Sequence, residues 1–286
     1  MKFLTQLNSG CIDICKNMLK SAEKVGLNMN DFIIACLDKN AYEQLKDYSG
    51  TFLHGDYEKN DLTSYQDWSF DPTSNFRKIV KSKWKLIKDI HEKHNNLCWV
   101  DTDIVFLRNP LEHIENNPKM LFQCDLPGSM ICSGFMVFND SKASKFVVDV
   151  CGNNTEEDDQ ILINNVISST TALHTECGLL NQEMFPNGYV YYKLGRKSSA
   201  VIVHNNHMVG IDTKIKHFKD FKFTGRISTP SSHSIPPRQY HVHPIRLWLN
   251  HIKHKAKKKL KVLKSALRKA LGWKIFWEKE NLKKTS

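Results

Sequence analysis

Two aspartates one residue apart break what would otherwise be an unbroken apolar stretch, LCWVDTDIVFL, at residues 97–107. A run this apolar needs cover on both faces, as in a strand buried in the middle of a layered sheet. Carboxylates set into such a run are costly to desolvate unless something positive pairs with them. Any fold the chain adopts must therefore bury the flanks and still supply a partner for Asp101 and Asp103.

The rest of the first half repeats that kind of strand at regular intervals. KFLTQL reads as a first strand, and CIDICKNMLKSAEKVG as an amphipathic helix ended by Gly26. DFIIACLD is a second near-continuous apolar run, NAYEQLKDY a short helix and TFLHG a third strand. A polar stretch with Pro72 leads to a long helix, FRKIVKSKWKLIKDIHEKH, and then to LCWVD. This βαβαβ alternation predicts an α/β fold with a Rossmann-like, mainly parallel sheet flanked by helices on both faces. Further along, MLFQCD, SGFMVFN, YVYYKL and SAVIVH read as strands, and SKASKFVVDVCG and EEDDQILINNVI as helices. The expected organisation is a domain over residues 1–220, a Ser-, Pro- and His-rich linker over 221–242, and a basic helical tail over 243–286.

Charge supports that division. The formal net charge is +11, but residues 243–286 hold 14 Lys plus Arg against two Glu, a balance of +12, leaving about −1 for the first 242 residues. The tail repeats apolar residues every three or four positions, from Leu249 through Ile252, Ala256, Leu260, Leu263 and Leu267 to Leu271, and ends in Trp273, Phe276 and Trp277. That pattern suits a helix lying on an anionic membrane surface, and equally one packed on the domain with its lysines in water. The neutral body argues against nucleic acid as a partner. No apolar run approaches the roughly 18 residues of a membrane span. MKFLTQLNSG lacks the features of a secretory signal, so a cytoplasmic protein is the expectation, with peripheral attachment at a membrane through its tail left open. The eight cysteines show no metal-type spacing and read as reduced core residues.

In open α/β sheets ligands bind beyond the carboxyl ends of the strands. Asp38, His54, Asp101, Asp103, Asp125 and His204 all fall at or just past such ends. Asp-x-Asp after a strand converges two hard oxygen ligands on a divalent cation such as Mn²⁺ or Mg²⁺. The plainer alternative has Asp101 capping the strand while Asp103 faces water, and the apolar flanks weigh against it.

LCWVDTDIVFLRNP resembles the DxD segment of GT-A-fold nucleotide-diphospho-sugar transferases. The likeness is greatest to the group containing plant xylosyl- and arabinosyltransferases, and more distant to lipopolysaccharide galactosyltransferases and glycogenin. It extends over roughly residues 1–220, through FIIACLDKNAYEQL, CSGFMVFNDSKAS, DDQILIN, FPNGYVYY and HNNHMVGIDTKIKHFK. The resemblance implies a glycosyltransferase that moves a sugar from a nucleotide-diphosphate sugar, a UDP-sugar above others, to a hydroxyl of a glycan or glycoprotein, with retention. It implies Asp101, Asp103 and His204 as ligands of Mn²⁺ or Mg²⁺. His207 has the relatives' His-x-x-Gly spacing, so that choice stays open. It further implies donor contacts from Thr5, Asp38, Lys83 (or Arg77 in its place), Asp101, Asp125, Ser133, Gly134, Gly210 and Lys214. Asp159 and Gln160, with Asp158 beside them, fall on the Asp-Gln motif at the reacting sugar. Relatives often have Asn where this chain has Cys132.

Two other readings compete. WVDTDIV also resembles the nucleophile motif of haloacid-dehalogenase-type phosphatases, although no later Gly-Asp motif follows. A non-catalytic membrane- or nucleic-acid-binding protein acting through the tail is the third.

Overall fold

The computed structural model describes residues 1–54, 74–125, 130–154, 157–195, 199–208, 210–220 and 240–241. The tail, residues 55–73 and most of the expected linker lie outside them.

The apolar runs become strands: β1 (Lys2–Leu7), β2 (Phe32–Cys36), β3 (Thr51–Leu53) and β4 (Leu97–Val100). These four pair in parallel, in the order β3-β2-β1-β4. Then β7 (Ile131–Phe138) adds antiparallel to β4, and β6 (Met120–Cys124) antiparallel to β7. Beyond them β8 (Cys177–Leu179) runs parallel to β6, and β10 (Tyr240–His241) closes the edge antiparallel to β8. The eight-stranded sheet is therefore mostly parallel. Tyr240 and His241, inside the stretch read as linker, are sheet residues.

Side-chain alternation along β1 splits the core into two layers. Phe3 and Leu7 pack with Cys15, Met18, Leu19 and Ala22 of α1 (Ile12–Lys24). On the opposite face, the Gln6 amide donates to the Ile79 carbonyl of α3 (Asn75–His91) at 2.8 Å. Trp84 of α3 meets Phe138 of β7 edge-on at 6.0 Å, and α3 packs along α5 (Lys142–Gly152). Helix α1 stops because Gly26 takes a φ of +81°, a left-handed conformation that glycine adopts without strain. All eight cysteines are free thiols and all but Cys11 are buried.

A second, two-stranded sheet pairs β5 (Ile104–Phe106) antiparallel with β9 (Ile202–His204). Phe106 anchors it, its ring edge-on to both Phe3 (6.2 Å) and Phe32 (6.4 Å), which stack on each other at 4.9 Å. The Phe106 N–H donates to Ser21 Oγ of α1 at 3.0 Å.

YVYYKL is not a strand. Tyr189–Lys193 form one turn of π-helix. Asn187 starts it, accepting from Val190 N–H through its side chain (2.9 Å) and from Tyr191 N–H through its carbonyl (3.0 Å). Tyr191 is then buried with Ala200 and Val203, so tertiary packing overrides the β-propensity of the segment. Among the described residues no helix is long and apolar enough to cross a membrane.

Since Phe106 is wholly buried and joins β5 to the main core, Phe106→Ala is expected to cost about 3–5 kcal/mol, measured by denaturant unfolding.

Candidate active site

The turn between β4 and β5 is held from both ends. Asp101 N–H donates to Gly134 O at 2.8 Å, and Ile104 N–H reaches back to Asp101 O at 3.2 Å. The β5–β9 register places Ile104 opposite His204, and Asn205 N–H donates to Asp103 O at 3.0 Å. Residues a hundred positions apart are thus brought together: ligand atoms of Asp101, Asp103 and His204 all lie within 4.8 Å of one another. His204 Nε2 is 3.2 Å from Asp103 Oδ1 and 3.7 Å from Asp101 Oδ2. Two carboxylates and an imidazole form a donor set that suits a divalent ion such as Mn²⁺. His207, three residues on, turns elsewhere, its Nε2 3.1 Å from Asp125 Oδ1.

Asp103 and His204 are buried and Asp101 is half-buried, so their charges require partners. Burial works against the Asp103 carboxylate, but Lys214 Nζ at 2.7 Å and His204 hold its pKa well below the ordinary carboxylate range. Burial likewise opposes a charged His204, and Asp103 overrides it, holding the imidazole's pKa well above its usual value. Asp101 Oδ1 accepts from Trp99 Nε1 at 2.7 Å and pairs with Lys83 Nζ at 3.2 Å. The Lys83 ammonium, one of the expected donor contacts, lies against protein oxygens: Asp101, Asp159 Oδ2 at 2.5 Å and Ser133 O at 3.2 Å. Burial would lower its pKa, but the two carboxylates raise it well above the usual value.

One irregularity arranges the back of the site. The β6–β7 ladder runs Leu121↔Val137 and Phe122↔Met136, then jumps to Gln123↔Cys132. The jump frees Ser133 and Gly134 from pairing with β6 and aims Gln123 at His204, in keeping with the way bulges redirect side chains beside active sites. Gln123 is wholly buried. Its Nε2 donates to the carbonyls of Phe185 and Pro186, both at 3.1 Å, so Oε1 is the atom left facing His204 Nδ1 at 2.7 Å. That contact puts an N–H on Nδ1 and directs Nε2 toward the aspartates. A Cβ built on Gly134 would lie 2.0 Å from His204 Cε1. The space on that side of Gly134 is taken by the imidazole, and Gly134 itself lines the cavity described below. Cys132 Sγ lies 3.6 Å from Nδ1 on the same side.

A cavity of about 670 Å³ opens in front of the triad. Along its wall Asp125 Oδ2 accepts from Gln160 Nε2 at 2.9 Å, and Gln160 Oε1 accepts from Ser133 N–H at 3.3 Å. Asp158 caps α6 (Asp159–Ser169), accepting from Gln160 N–H and Ile161 N–H, and pairs with Arg77 of α3. Lys214 lies in the first turn of α7 (Ile211–Asp220), which follows Gly210 at φ +91°. Asp125, Ser133, Asp158, Asp159, Gln160 and Lys214 line the cavity. Thr5 and Asp38 do not. Thr5 is buried in β1. Asp38 caps α2 (Lys39–Leu45) through Ala41 N–H and holds Ser9, so its carboxylate is spent on local structure. Gln123 and Trp99 were missed by sequence reasoning, although a lone Gln inside MLFQC is a signal, because a buried amide must find partners.

The family model for nucleotide-diphospho-sugar transferases matches residues 27–218. The chain belongs to that family. The match sets aside the haloacid-dehalogenase reading of the Asp-x-Asp turn. Among curated proteins, the chain is 24% identical over 273 residues to a UDP-galactose:fucoside alpha-3-galactosyltransferase of Dictyostelium discoideum, covering 77% of this chain and 42% of that one. It is 25% identical over 194 residues to UDP-D-xylose:L-fucose alpha-1,3-D-xylosyltransferase 1 of Arabidopsis thaliana, covering 56% and 53%. The chain spans about half the length of these relatives. A solved galactosyltransferase, LgtC, in complex with donor and acceptor sugar analogues, superposes with a TM-score of 0.49 at 9% identity, covering 77% of this chain and 94% of that one.

Two variants test the support behind His204. Gly134→Ala, which drives a methyl into the imidazole, and Gln123→Leu, which removes the Nδ1 partner, are each expected to weaken Mn²⁺ binding by about 10–100-fold. Titration by the electron paramagnetic resonance of free Mn²⁺, alongside a melting curve, reads both.

Proposed function

We propose that the protein transfers a glycosyl group from a UDP-sugar to a hydroxyl of a glycan, using Mn²⁺ or Mg²⁺. The observation that carries this reading is the Asp101, Asp103 and His204 triad on the wall of the cavity, in a chain of this family. These three residues would hold the ion, which when bound supplies Lewis-acid charge to the departing nucleoside diphosphate. Lys214 offers that diphosphate a point charge at the start of α7, beside the backbone freed by Gly210. Asp125, Asp159 and Gln160 also line the cavity and orient the sugar's hydroxyls.

Each carboxylate on the sugar side already has a partner: Asp158 with Arg77, Asp159 with Lys83, and Asp125 with Gln160 and His207. None stands ready as a general base, which supports a retaining, front-face route in which the leaving phosphate oxygen takes the acceptor proton. Both relatives named above are alpha transferases acting on fucose or a fucoside, and we extend that acceptor class to this chain.

Calorimetry with UDP-galactose and UDP-xylose is expected to show binding at least about tenfold tighter, or 1.4 kcal/mol, with Mn²⁺ than with chelator. Asp103→Ala should lose that difference. Incubation with a fucoside should then yield an α-linked product by NMR. A wild-type protein that binds no nucleotide under either condition would sink the proposal.

A further inference from the structure

Both oxygens of the Asp103 carboxylate are already engaged. Oδ1 faces His204 Nε2 at 3.2 Å, and Oδ2 accepts from the Lys214 ammonium at 2.7 Å. The side chains of Asp103 and Lys214 are 8% and 15% exposed, so the pair is shielded from bulk water and the contact is a close one between full charges. Lys214 also lines the cavity.

A divalent ion ligated by Asp103 would stand close to that ammonium. Two cations sharing one buried carboxylate repel, so each weakens the other's hold on it. The ammonium sits at the end of a long flexible side chain and has somewhere to go once an anion enters the cavity.

We propose that Lys214 is a stand-in for the metal. In the nucleotide-free protein its ammonium occupies Asp103 Oδ2 and holds off a divalent cation. A nucleoside diphosphate draws the ammonium away and opens the carboxylate, so that ion and diphosphate bind in a coupled manner. The inference rests on the reading of the triad given under Proposed function. It adds that Lys214 opposes the ion when alone and favours it once the diphosphate is bound. By linkage, whatever factor the diphosphate contributes to metal affinity, the metal contributes to diphosphate affinity.

The test titrates Mn²⁺ into the 286-residue chain with and without UDP, reading free Mn²⁺ by its electron paramagnetic resonance, for wild type, Lys214→Met, Lys214→Gln and Lys214→Arg. Without UDP, Lys214→Met and Lys214→Gln are expected to bind Mn²⁺ about fivefold or more tightly than wild type, and the enhancement by UDP should shrink by a similar factor. Lys214→Arg, which restores the cation, should return wild-type behaviour. A general loss of structure would weaken metal binding, the opposite direction. If wild type gains Mn²⁺ affinity with UDP but neither neutral variant binds Mn²⁺ alone any tighter, the stand-in is refuted and the metal site survives. If wild type binds no Mn²⁺ even with UDP, the metal reading itself fails and takes this inference with it.

Discussion

The antiparallel pairing of β5 with β9 is the constraint on which the site depends. Each strand is only three residues long, yet the register sets Ile104 against His204 and thereby delivers an imidazole to the Asp-x-Asp turn. A slip of one residue would turn His204 to the other face and dissolve the triad. What prevents the slip is burial: Ile104, Val105 and Phe106 are wholly inside, and Phe106 is locked among Phe3, Phe32 and Ser21. The hydrophobic core thus fixes the geometry of a polar site.

Around that point the charges form an alternating chain: Asp159, Lys83, Asp101, His204, Asp103, Lys214. Most members are buried, and a buried charge is tolerated only with a close opposite partner and further hydrogen bonds. Trp99 supplies one such bond to Asp101 and lies 5.0 Å beneath the Lys83 ammonium. Lys83 therefore joins Asp101 to Asp159, and Asp159 cannot shift without disturbing Asp101. The same economy explains why Asp38 lies off the site, because a strand-end carboxylate is also a good helix cap, and the adjacent α2 uses it so.

The strand ends were legible because apolar runs bounded by polar residues mark where buried strands stop. Asp101, Asp103, Asp125 and His204 were found in that way, and all four line one cavity. The strand end favoured His204 and the His-x-x-Gly spacing favoured His207, so local pattern left the choice open. The structure separates them by backbone conformation: His204 is still in β9, whereas His207 takes a φ of +61° and points to Asp125. YVYYKL misled because its Tyr and Val content fits a strand, while the carbonyl and amide of Asn187 close a helical turn over it. Gln123 and Gly134 act on His204 through a bulge that no local pattern encodes.

By itself the sequence determined the layered α/β architecture, the position of the acidic turn at a strand end and the neutral body with its basic tail. These follow from hydrophobic periodicity and charge, which are properties of neighbouring residues. Only the tertiary structure decided which histidine meets the aspartates, that Lys83 serves protein carboxylates, and that Lys214 covers Asp103. Each of those outcomes is a contact between residues 18 to 111 positions apart or more finely a matter of register, and the free energy of such contacts depends on burial and alignment that exist only once the chain has folded.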